Sequence, residues 1–292
     1  MAKPRVGMVG LGIMGSAMAA NLLRAGFVVT GYDPVAACRR RHRRAGGIVA
    51  AGVEEVARSA SILISSLPSA KALESVSKSI RGKKIVVETS TLPIAVKERA
   101  RKTLAAAGAT LLDCPLSGTG AQARVGDLVV FGSGIYSKYG KIIPVLRGFS
   151  RSQYYLGRFG NGSKMKFAAN LLVAIHNVSS AEAVILARKS GLDPALAVRV
   201  LGDGAGSSRM LQVRGPLMVR RSYTPATVTQ ETWRKDMKII GEFARRLKSP
   251  TPLFSATRAI YNAAMAQGRA LQDTASVCAV LERRTARPSR RR

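Results

Sequence analysis

Short β-branched apolar runs alternate with stretches of helical periodicity through the first half of the chain. This alternation is typical of βαβ units and a mostly parallel sheet. The runs predict strands over residues 6–9, 27–32, 62–66, 85–87, 110–112, 128–131 and 153–156, the last two completing the same sheet. Between them, residues 14–25 predict a helix that ends at Gly26, and Pro93 fits the first turn of another helix.

The strand pattern stops at about Gly162, and only helical signals follow. Apolar positions predict one long helix that ends near Gly191, and the pairs Asp193-Pro194 and Thr251-Pro252 each cap and start a further helix. We therefore predict an α/β domain over residues 1–161 and an all-α domain over residues 162–283, joined by a long interdomain helix. The remaining residues, 284–292, are predicted to be a basic disordered tail.

The charge of the chain is unusually positive. There are 47 Lys and Arg against 16 Asp and Glu, a formal net charge of +31. One arginine cluster covers residues 39–44 and the other occupies the tail, and we expect a solvated helix face and a disordered segment, respectively. Nonspecific binding to polyanions is an expected consequence. Aromatic residues make up only 5% of the chain and none interleaves with the clusters, unlike a nucleic-acid stacking platform.

Cysteine content and hydropathy indicate a cytoplasmic, non-membrane protein. Cys38, Cys114 and Cys278 lie far apart without metal-ligand spacing, as expected in a reducing compartment, and no metal site is predicted. The stretch 167–187 contains too many polar residues for an expected membrane span. Both histidines, His42 and His176, are expected to have core or surface roles, and Cys114 is expected to be a packing residue.

A glycine-rich turn follows the first predicted strand and opens the first predicted helix. It comprises Gly10, Leu11, Gly12, Ile13, Met14 and Gly15. The first glycine permits a tight turn, the second allows the backbone to approach a pyrophosphate, and the third allows close packing of helix and strand. Asp33 ends the second strand and is placed to bind the adenosine ribose, which favours NAD over NADP. The arginines that follow Asp33, from Arg39 onward, could bind a 2′-phosphate, so NADP remains an alternative cofactor.

Together with this turn, three later segments resemble those of the β-hydroxyacid dehydrogenase family, of the 3-hydroxyisobutyrate dehydrogenase type. They are residues 113–118 (Asp-Cys-Pro-Leu-Ser-Gly), residues 160–170, and Lys235-Asp236-Met237. The resemblance covers nearly the whole chain. It implies a Rossmann-type N-terminal domain, a helical domain like that of 6-phosphogluconate dehydrogenase, and a homodimer or homotetramer.

The resemblance also implies roles for individual residues. Lys166 would be the general acid/base, and Asn170 would orient a small hydroxy-carboxylate substrate whose carboxylate is bound by Ser117 and Gly118. Thr119 stands where the family often has glycine, and would narrow the pocket or add a hydroxyl contact. Cofactor-contacting positions would be Leu67, Pro68, Thr91 and Lys235, besides the glycine turn and Asp33.

Helix geometry supports this assignment, because Lys166 and Asn170 are four residues apart and share one helical face. A lysine beside a cationic nicotinamide would have a lowered pKa and could remove a hydroxyl proton as hydride leaves. The expected activity is NAD-dependent interconversion of a short 3-hydroxy acid and its semialdehyde or keto acid. Alternatives are an NADP-dependent semialdehyde reductase, an imine reductase-like enzyme, against which Lys166 argues, and a nucleic-acid-associated protein on a dinucleotide fold.

Overall fold

The computed structural model describes residues 5–285 and divides into two compact units, Met1–Lys166 and Phe167–Arg292. The division falls within the long helix that was expected to join two domains, a few residues after the boundary proposed from the sequence. The first unit alternates strands and helices, and the second is built from helices, so the predicted fold class is confirmed.

A parallel sheet of six strands forms the centre of the first unit, within the part of the chain described here. Its order is β3-β2-β1-β4-β5-β6, the order of a doubly wound dinucleotide-binding sheet. The strands are β1 (Val6–Val9), β2 (Val29–Tyr32), β3 (Ile48–Val49), β4 (Ile62–Ser65), β5 (Ile85–Glu88) and β6 (Thr110–Asp113). The central strand β1 pairs with β2 and β4 in register, with Val6 opposite both Val29 and Ile62.

Helices cover both faces of this sheet. They are α1 (Ile13–Arg24), α2 (Ala36–Arg44), α3 (Val53–Ser59), α4 (Ala70–Ser79), α5 (Ile94–Ala106), α6 (Gly120–Arg124) and α7 (Tyr136–Arg147). Strand side chains alternate between two apolar cores, as the pleat requires. Met8 and Val87 pack in the core with α1 and α7, whereas Val9 and Val86 pack in the core with α3, α4 and α5.

The prediction that residues 128–131 and 153–156 complete the same sheet is wrong. They form β8 (Val129–Gly132) and β9 (Ser152–Tyr155), which join β7 (Leu116–Ser117) in a separate sheet of three strands, counted over the described residues. The connection from β7 to β8 contains only the short helix α6. Strand β8 returns antiparallel to β7, with Leu116 opposite Val130.

The second unit consists of the larger part of α8 (Asn161–Lys189) and the helices that follow it. These are α9 (Pro194–Asp203), α10 (Arg209–Arg220), α11 (Gln230–Arg246), α12 (Pro252–Ala266), a 3₁₀ turn (Thr274–Ser276) and α13 (Val277–Thr285). The Asp193 carboxylate accepts from the N–H groups of Ala195 and Leu196 at 3.1 Å each, which confirms the predicted cap of α9. The predicted side-chain cap of α12 is wrong, because Thr251 is its N-cap residue but makes no side-chain cap hydrogen bond. The predicted tail begins too early, because α13 continues to Thr285, and residues 286–292 lie outside the described residues.

The helix α8 is, over residues 5–285, the one helix long and apolar enough to cross a bilayer by length and composition. The expectation that polar residues make this stretch too polar for a membrane span is therefore not met by this test. However, 44% of its most apolar 18-residue window is buried inside the protein. A buried core helix passes the same test, so a single such helix is weak grounds for a membrane span.

Candidate dinucleotide and substrate site

The glycine turn has the close contacts that its sequence predicted. Gly10 has φ +91°, and a Cβ there would meet the Ser66 carbonyl oxygen at 2.2 Å. A Cβ on Gly15 would meet the Gly10 carbonyl oxygen at 1.9 Å. In contrast, a Cβ on Gly12 would meet nothing within 4 Å. The first and third glycines are therefore required by packing inside the protein, whereas the second faces open space.

This open space fits the phosphates of a dinucleotide. Helix α1 begins at Ile13, its N-cap Gly12 supplies no side-chain hydrogen bond, and its first turn contains no acidic residue. Its first N–H groups thus meet an incoming anion without competition from a capping side chain, and the helix dipole favours negative charge there. The Ile13 side chain is 53% exposed at the same turn. The chain's own residues are consequently suited to hold the pyrophosphate of NAD or NADP.

The Asp33 carboxylate connects the second strand to this turn. One oxygen, Oδ2, accepts from the Leu11 N–H at 2.8 Å, and the other, Oδ1, accepts from the Val35 N–H at 2.8 Å. The side chain is buried, with the residue only 8% exposed. Each carboxylate oxygen has a second lone-pair site, so Asp33 retains acceptors for ribose hydroxyls while it fixes the turn.

Arginines of helix α2 surround the Asp33 end of β2. Arg39 donates to the carbonyl oxygens of Asp33 and Pro34 at 2.6 and 2.9 Å, and Arg41 donates to the Leu11 carbonyl oxygen at 3.0 Å. A shallow cleft of about 240 Å³ is lined by Ala36, Arg39, Arg40, Arg43 and Val49. Most of the cluster is exposed, as predicted.

The other predicted cofactor positions in this unit follow β4 and β5. Leu67 is half-buried and its N–H donates to Ser90 Oγ at 2.8 Å, while Pro68 is exposed and Thr91 half-buried. Ser90 is in turn held by the buried Glu88 carboxylate, which accepts from the Ser90 N–H at 2.9 Å. Because the strands are parallel, these positions lie at the same sheet edge as the glycine turn.

The predicted substrate loop lies between β6 and α6. Ser117 is half-buried, and Gly118 has φ +140° with the Leu128 side chain 2.5 Å from where a Cβ would be. Thr119 is the N-cap of α6 and forms a capping box with Gln122, whose side-chain oxygen accepts from the Thr119 N–H at 3.0 Å. The Thr119 hydroxyl oxygen therefore caps the first turn of α6. The resemblance to the family did not indicate this role.

Lys166 lies on α8 at the end of the first unit and is half-buried. Lys164, two residues earlier, is exposed and donates to Asn161 Oδ1 at 3.1 Å. The start of α8 is held by Asp113, whose carboxylate accepts from the Ser163 N–H at 2.8 Å and from the Ser163 hydroxyl at 2.9 Å. Lys97 forms a fully buried ion pair with the same carboxylate at 2.8 Å.

Asn170 and Lys235 belong to the second unit, where Asp236 connects them. The Asn170 side-chain amide donates to Asp236 Oδ2 at 3.1 Å, and Lys235 Nζ lies 3.5 Å from Asp236 Oδ1. A carboxylate only accepts hydrogen bonds, so this contact fixes which end of the Asn170 amide faces Asp236. The amide carbonyl oxygen is left as the acceptor that Asn170 can offer elsewhere.

The remaining cysteine and histidine candidates have structural roles. Cys114 is fully buried, and burial, followed by the neighbouring Asp113 charge, raises the pKa of its thiol, which disfavours a nucleophilic thiolate. His42 is buried, and its Nε2 lies 3.3 Å from the Val29 carbonyl oxygen. Residues 5–285 hold no cluster of His, Cys, Asp or Glu side chains suited to a metal ion.

Sequence reasoning missed Lys97, Ser163, Glu88 and Asp236 as members of these networks. A signal for Lys97 existed, because it shares the buried stripe of α5 with Ala100 and Leu104 at helical spacing. A lysine on a core face requires a buried partner, and the sequence holds few carboxylates.

Comparisons with known proteins match nearly the whole chain. Residues 5–157 match the model for the NAD-binding domain of 6-phosphogluconate dehydrogenase, and residues 160–281 match the model for the NAD-binding domain of NADP-dependent 3-hydroxyisobutyrate dehydrogenase. The chain is 31% identical to L-threonate dehydrogenase of Cupriavidus necator, over 93% of this chain and 94% of that protein. It is 30% identical to the chloroplastic glyoxylate/succinic semialdehyde reductase 2 of Arabidopsis thaliana, over 95% of this chain and 79% of that protein.

Among solved structures, a 3-hydroxyisobutyrate dehydrogenase from Salmonella typhimurium superposes with a TM-score of 0.87 at 27% identity, covering 95% of this chain and all of that one. Together, the two family models cover residues 5–157 and 160–281, which are nearly all of the described chain. The chain therefore belongs to the β-hydroxyacid dehydrogenase family of NAD(P)-dependent oxidoreductases.

Proposed function

We propose that this enzyme interconverts a short 3-hydroxy acid and its semialdehyde or keto acid with NAD, and that Lys166 is the general acid/base. One observation carries the proposal. The helix that bears Lys166 is bonded at its first turn to Asp113, and Asp113 begins the stretch that ends in Ser117 and Gly118. The proposed proton-transfer group and the proposed carboxylate-binding loop are thus attached to one buried side chain.

The chemistry assigns a separate task to each residue. NAD supplies the hydride acceptor when it is bound. Lys166, in its neutral form, takes the hydroxyl proton during oxidation, and as an ammonium it returns that proton during reduction. Ser117 and Gly118 donate hydrogen bonds to the substrate carboxylate. With its amide nitrogen engaged by Asp236, Asn170 offers its carbonyl oxygen to the substrate hydroxyl. Thr119 shapes the pocket, and Lys235 contacts the nicotinamide side of the cofactor.

Asp33 supports a preference for NAD. A 2′-phosphate would be repelled by this buried carboxylate, which the Leu11 and Val35 N–H groups hold in place. The cleft lined by Arg39, Arg40 and Arg43 is the feature that favours NADP instead. Among the described residues, no acidic side chain pairs with Arg40 or Arg43, so their charge is available to a phosphate. An NADP-dependent semialdehyde reductase is therefore the second candidate.

We also propose that the enzyme is a homodimer or homotetramer. Helix α9 has no buried residue, and its Leu196 and Val200 are 46% and 60% exposed one turn apart on the same face. An apolar helical face of this kind favours contact with a second copy. We place the enzyme in the cytoplasm because Cys38, Cys114 and Cys278 are free thiols.

A panel of short hydroxy acids and semialdehydes, assayed with NAD and NADP by absorbance of the reduced nicotinamide, tests the proposal. We expect turnover of at least one 3-hydroxy acid, with a higher kcat/KM for NAD than for NADP. A higher kcat/KM for NADP that falls in Arg39→Ala and Arg40→Ala, but not in Arg44→Ala, would establish the second candidate. Reduction of cyclic imines without any hydroxy-acid turnover would identify an imine reductase-like enzyme instead.

A further inference from the structure

The first turn of α8 cannot be capped by its own sequence. Its N-cap position, Gly160, has no side chain, and the first three N–H groups of a helix have no intrahelical acceptor. Each nevertheless has a partner. The Asn161 N–H donates to the Arg158 carbonyl oxygen at 3.1 Å, the Gly162 N–H to Ser133 Oγ at 3.0 Å, and the Ser163 N–H to Asp113 Oδ2 at 2.8 Å. Two of these acceptors are side chains distant in sequence, Asp113 at the end of β6 and Ser133 just after β8.

The Asp113 carboxylate is fixed from several directions. Oδ1 accepts from Lys97 Nζ at 2.8 Å and from the Ser163 hydroxyl at 2.9 Å, while Oδ2 accepts from the Ser163 N–H. The side chains of Asp113 and Lys97 are both fully buried. Burial opposes the charge of Lys97, but the Asp113 and Glu88 carboxylates outweigh it and raise the Lys97 pKa. A buried ion pair is favourable only with close geometry and additional hydrogen bonds, so it tolerates little displacement of either partner.

The backbone at Asp113 is held as firmly as its side chain. Asp113 and Ser133 exchange both backbone hydrogen bonds, at 3.0 and 2.8 Å. Gly162 lies directly on this bridge, since a Cβ there would be 2.2 Å from the Phe131 carbonyl oxygen and 2.6 Å from the Asp113 carbonyl oxygen. The first turn of α8 thus rests on the strand end from which the Ser117–Gly118 loop departs.

We propose that Asp113, held by Lys97, is a positioning residue. The Ser163 hydroxyl adds a second hydrogen bond between this carboxylate and the first turn of α8. Together they set Lys166, one turn beyond Ser163, relative to the loop that binds the substrate carboxylate. The inference rests on the proposed function, because it assigns these residues a task only if Lys166 transfers the proton. A misplacement of about 1 Å costs up to about 10²-fold in rate, so a rigid anchor here affects catalysis directly.

Ser163→Ala tests the anchor, and Ser77→Ala is its matched control. Ser77 is also a buried helical serine, and its hydroxyl donates to the Leu73 carbonyl oxygen at 2.7 Å on α4, away from the anchor. In Ser163→Ala we expect faster amide hydrogen exchange over residues 161–166, kcat lower by about 10-fold to 10²-fold, and unchanged NADH affinity by fluorescence titration. In Ser77→Ala we expect Tm to fall by about as much as in Ser163→Ala, while the exchange of residues 161–166 and kcat stay at their wild-type values.

The double variant Lys97→Met/Asp113→Asn removes both buried charges together, which avoids leaving one of them unpaired. It should exceed Ser163→Ala in both the exchange rate of residues 161–166 and the loss of kcat. If Ser163→Ala matches Ser77→Ala in exchange and in kcat while Lys166→Ala is inactive, the positioning role is overturned and the proposed function survives. If Lys166→Ala retains wild-type turnover, the positioning role and the proposed function are both overturned.

Discussion

The Leu11 N–H donates to the Asp33 carboxylate at 2.8 Å, so the residue expected to select the cofactor also holds the turn that we propose binds its phosphates. Removing the charge and removing the hydrogen bond are therefore two different experiments at one position. Asp33→Asn preserves an amide oxygen that can accept from Leu11, whereas Asp33→Ala removes both functions.

The cofactor selectivity of Asp33→Asn is the first prediction. Loss of the negative charge relieves repulsion of a 2′-phosphate, so the NAD-to-NADP ratio of kcat/KM should fall by about tenfold, equivalent to about 1.4 kcal/mol. Steady-state kinetics with both cofactors measures this ratio. Asp33→Ala should in addition weaken the binding of both cofactors, because the glycine turn loses its anchor. An unchanged ratio in Asp33→Asn would show that the α2 arginines determine selectivity.

His42 gives the protein a pH-dependent stability. The ring is buried against Gly31 and Gly47, where an added Cβ would come within 2.8 and 2.1 Å of it. Burial lowers the pKa of His42 below its usual 6.5, and hydrogen bonds to the Val29 and Ile48 backbone only partly offset this. The unfolded chain therefore binds the proton more readily, so this contribution to stability is present above pH 6.5 and is lost as the pH falls.

We accordingly expect the free energy of unfolding to decrease between pH 7.5 and pH 5, and to decrease less in His42→Gln. Urea denaturation at each pH measures both quantities. Equal pH dependence in wild type and His42→Gln would refute the assignment.

Removal of residues 286–292 tests the predicted role of the basic C-terminal segment. The truncated chain ends after α13 at Thr285, so we expect unchanged turnover and unchanged Tm. The truncated protein should elute from a DNA or heparin column at a lower salt concentration than the full chain. With fewer arginines, it displaces fewer counterions from the polyanion. Substituting Arg40, Arg43 and Arg44 with Gln removes comparable charge from α2 and provides the control. A large loss of activity on truncation would mean that the segment contributes to the site or to assembly.

Local patterns in the sequence were sufficient to predict most of the first unit. Val6–Val9, Ile62–Ser65 and the glycine turn have strong periodicity or glycine spacing, and all were expected. Ile48–Val49 and Leu116–Ser117 are two-residue strands, too short for any periodicity to register. The separate sheet was missed because sheet membership depends on which strands pair in the fold, and β8 pairs with the two-residue strand β7, which the sequence did not reveal.

Some residues of the candidate site could be predicted from the sequence, and others could not. Motif residues such as Ser117 and Lys166 are visible in the sequence because they occur in short segments with characteristic spacing. The buried network of Lys97, Asp113 and Ser163 is not, since its members are separated by 16 and 50 residues and meet only in the fold. Only the position of Lys97 on the core face of α5 hinted at such a partner.

The central claim is the role of Lys166 in proton transfer. Lys166→Ala should lower kcat by about 10²-fold to 10⁴-fold, the usual worth of positioned acid/base catalysis, and leave the affinity for NADH nearly unchanged. Lys166→Arg should fail almost as badly, because a guanidinium does not release its proton near neutral pH. Lys164→Ala, at an exposed lysine two residues earlier on the same helix, should behave as wild type.

Measurement of kcat for Lys166→Ala, Lys166→Arg and Lys164→Ala on the best substrate of the hydroxy-acid panel is therefore the most direct test. We expect kcat to fall sharply in both Lys166 variants and to stay at the wild-type value in Lys164→Ala, with NADH bound by all three. Wild-type turnover in the two Lys166 variants, with NADH still bound, would contradict this expectation.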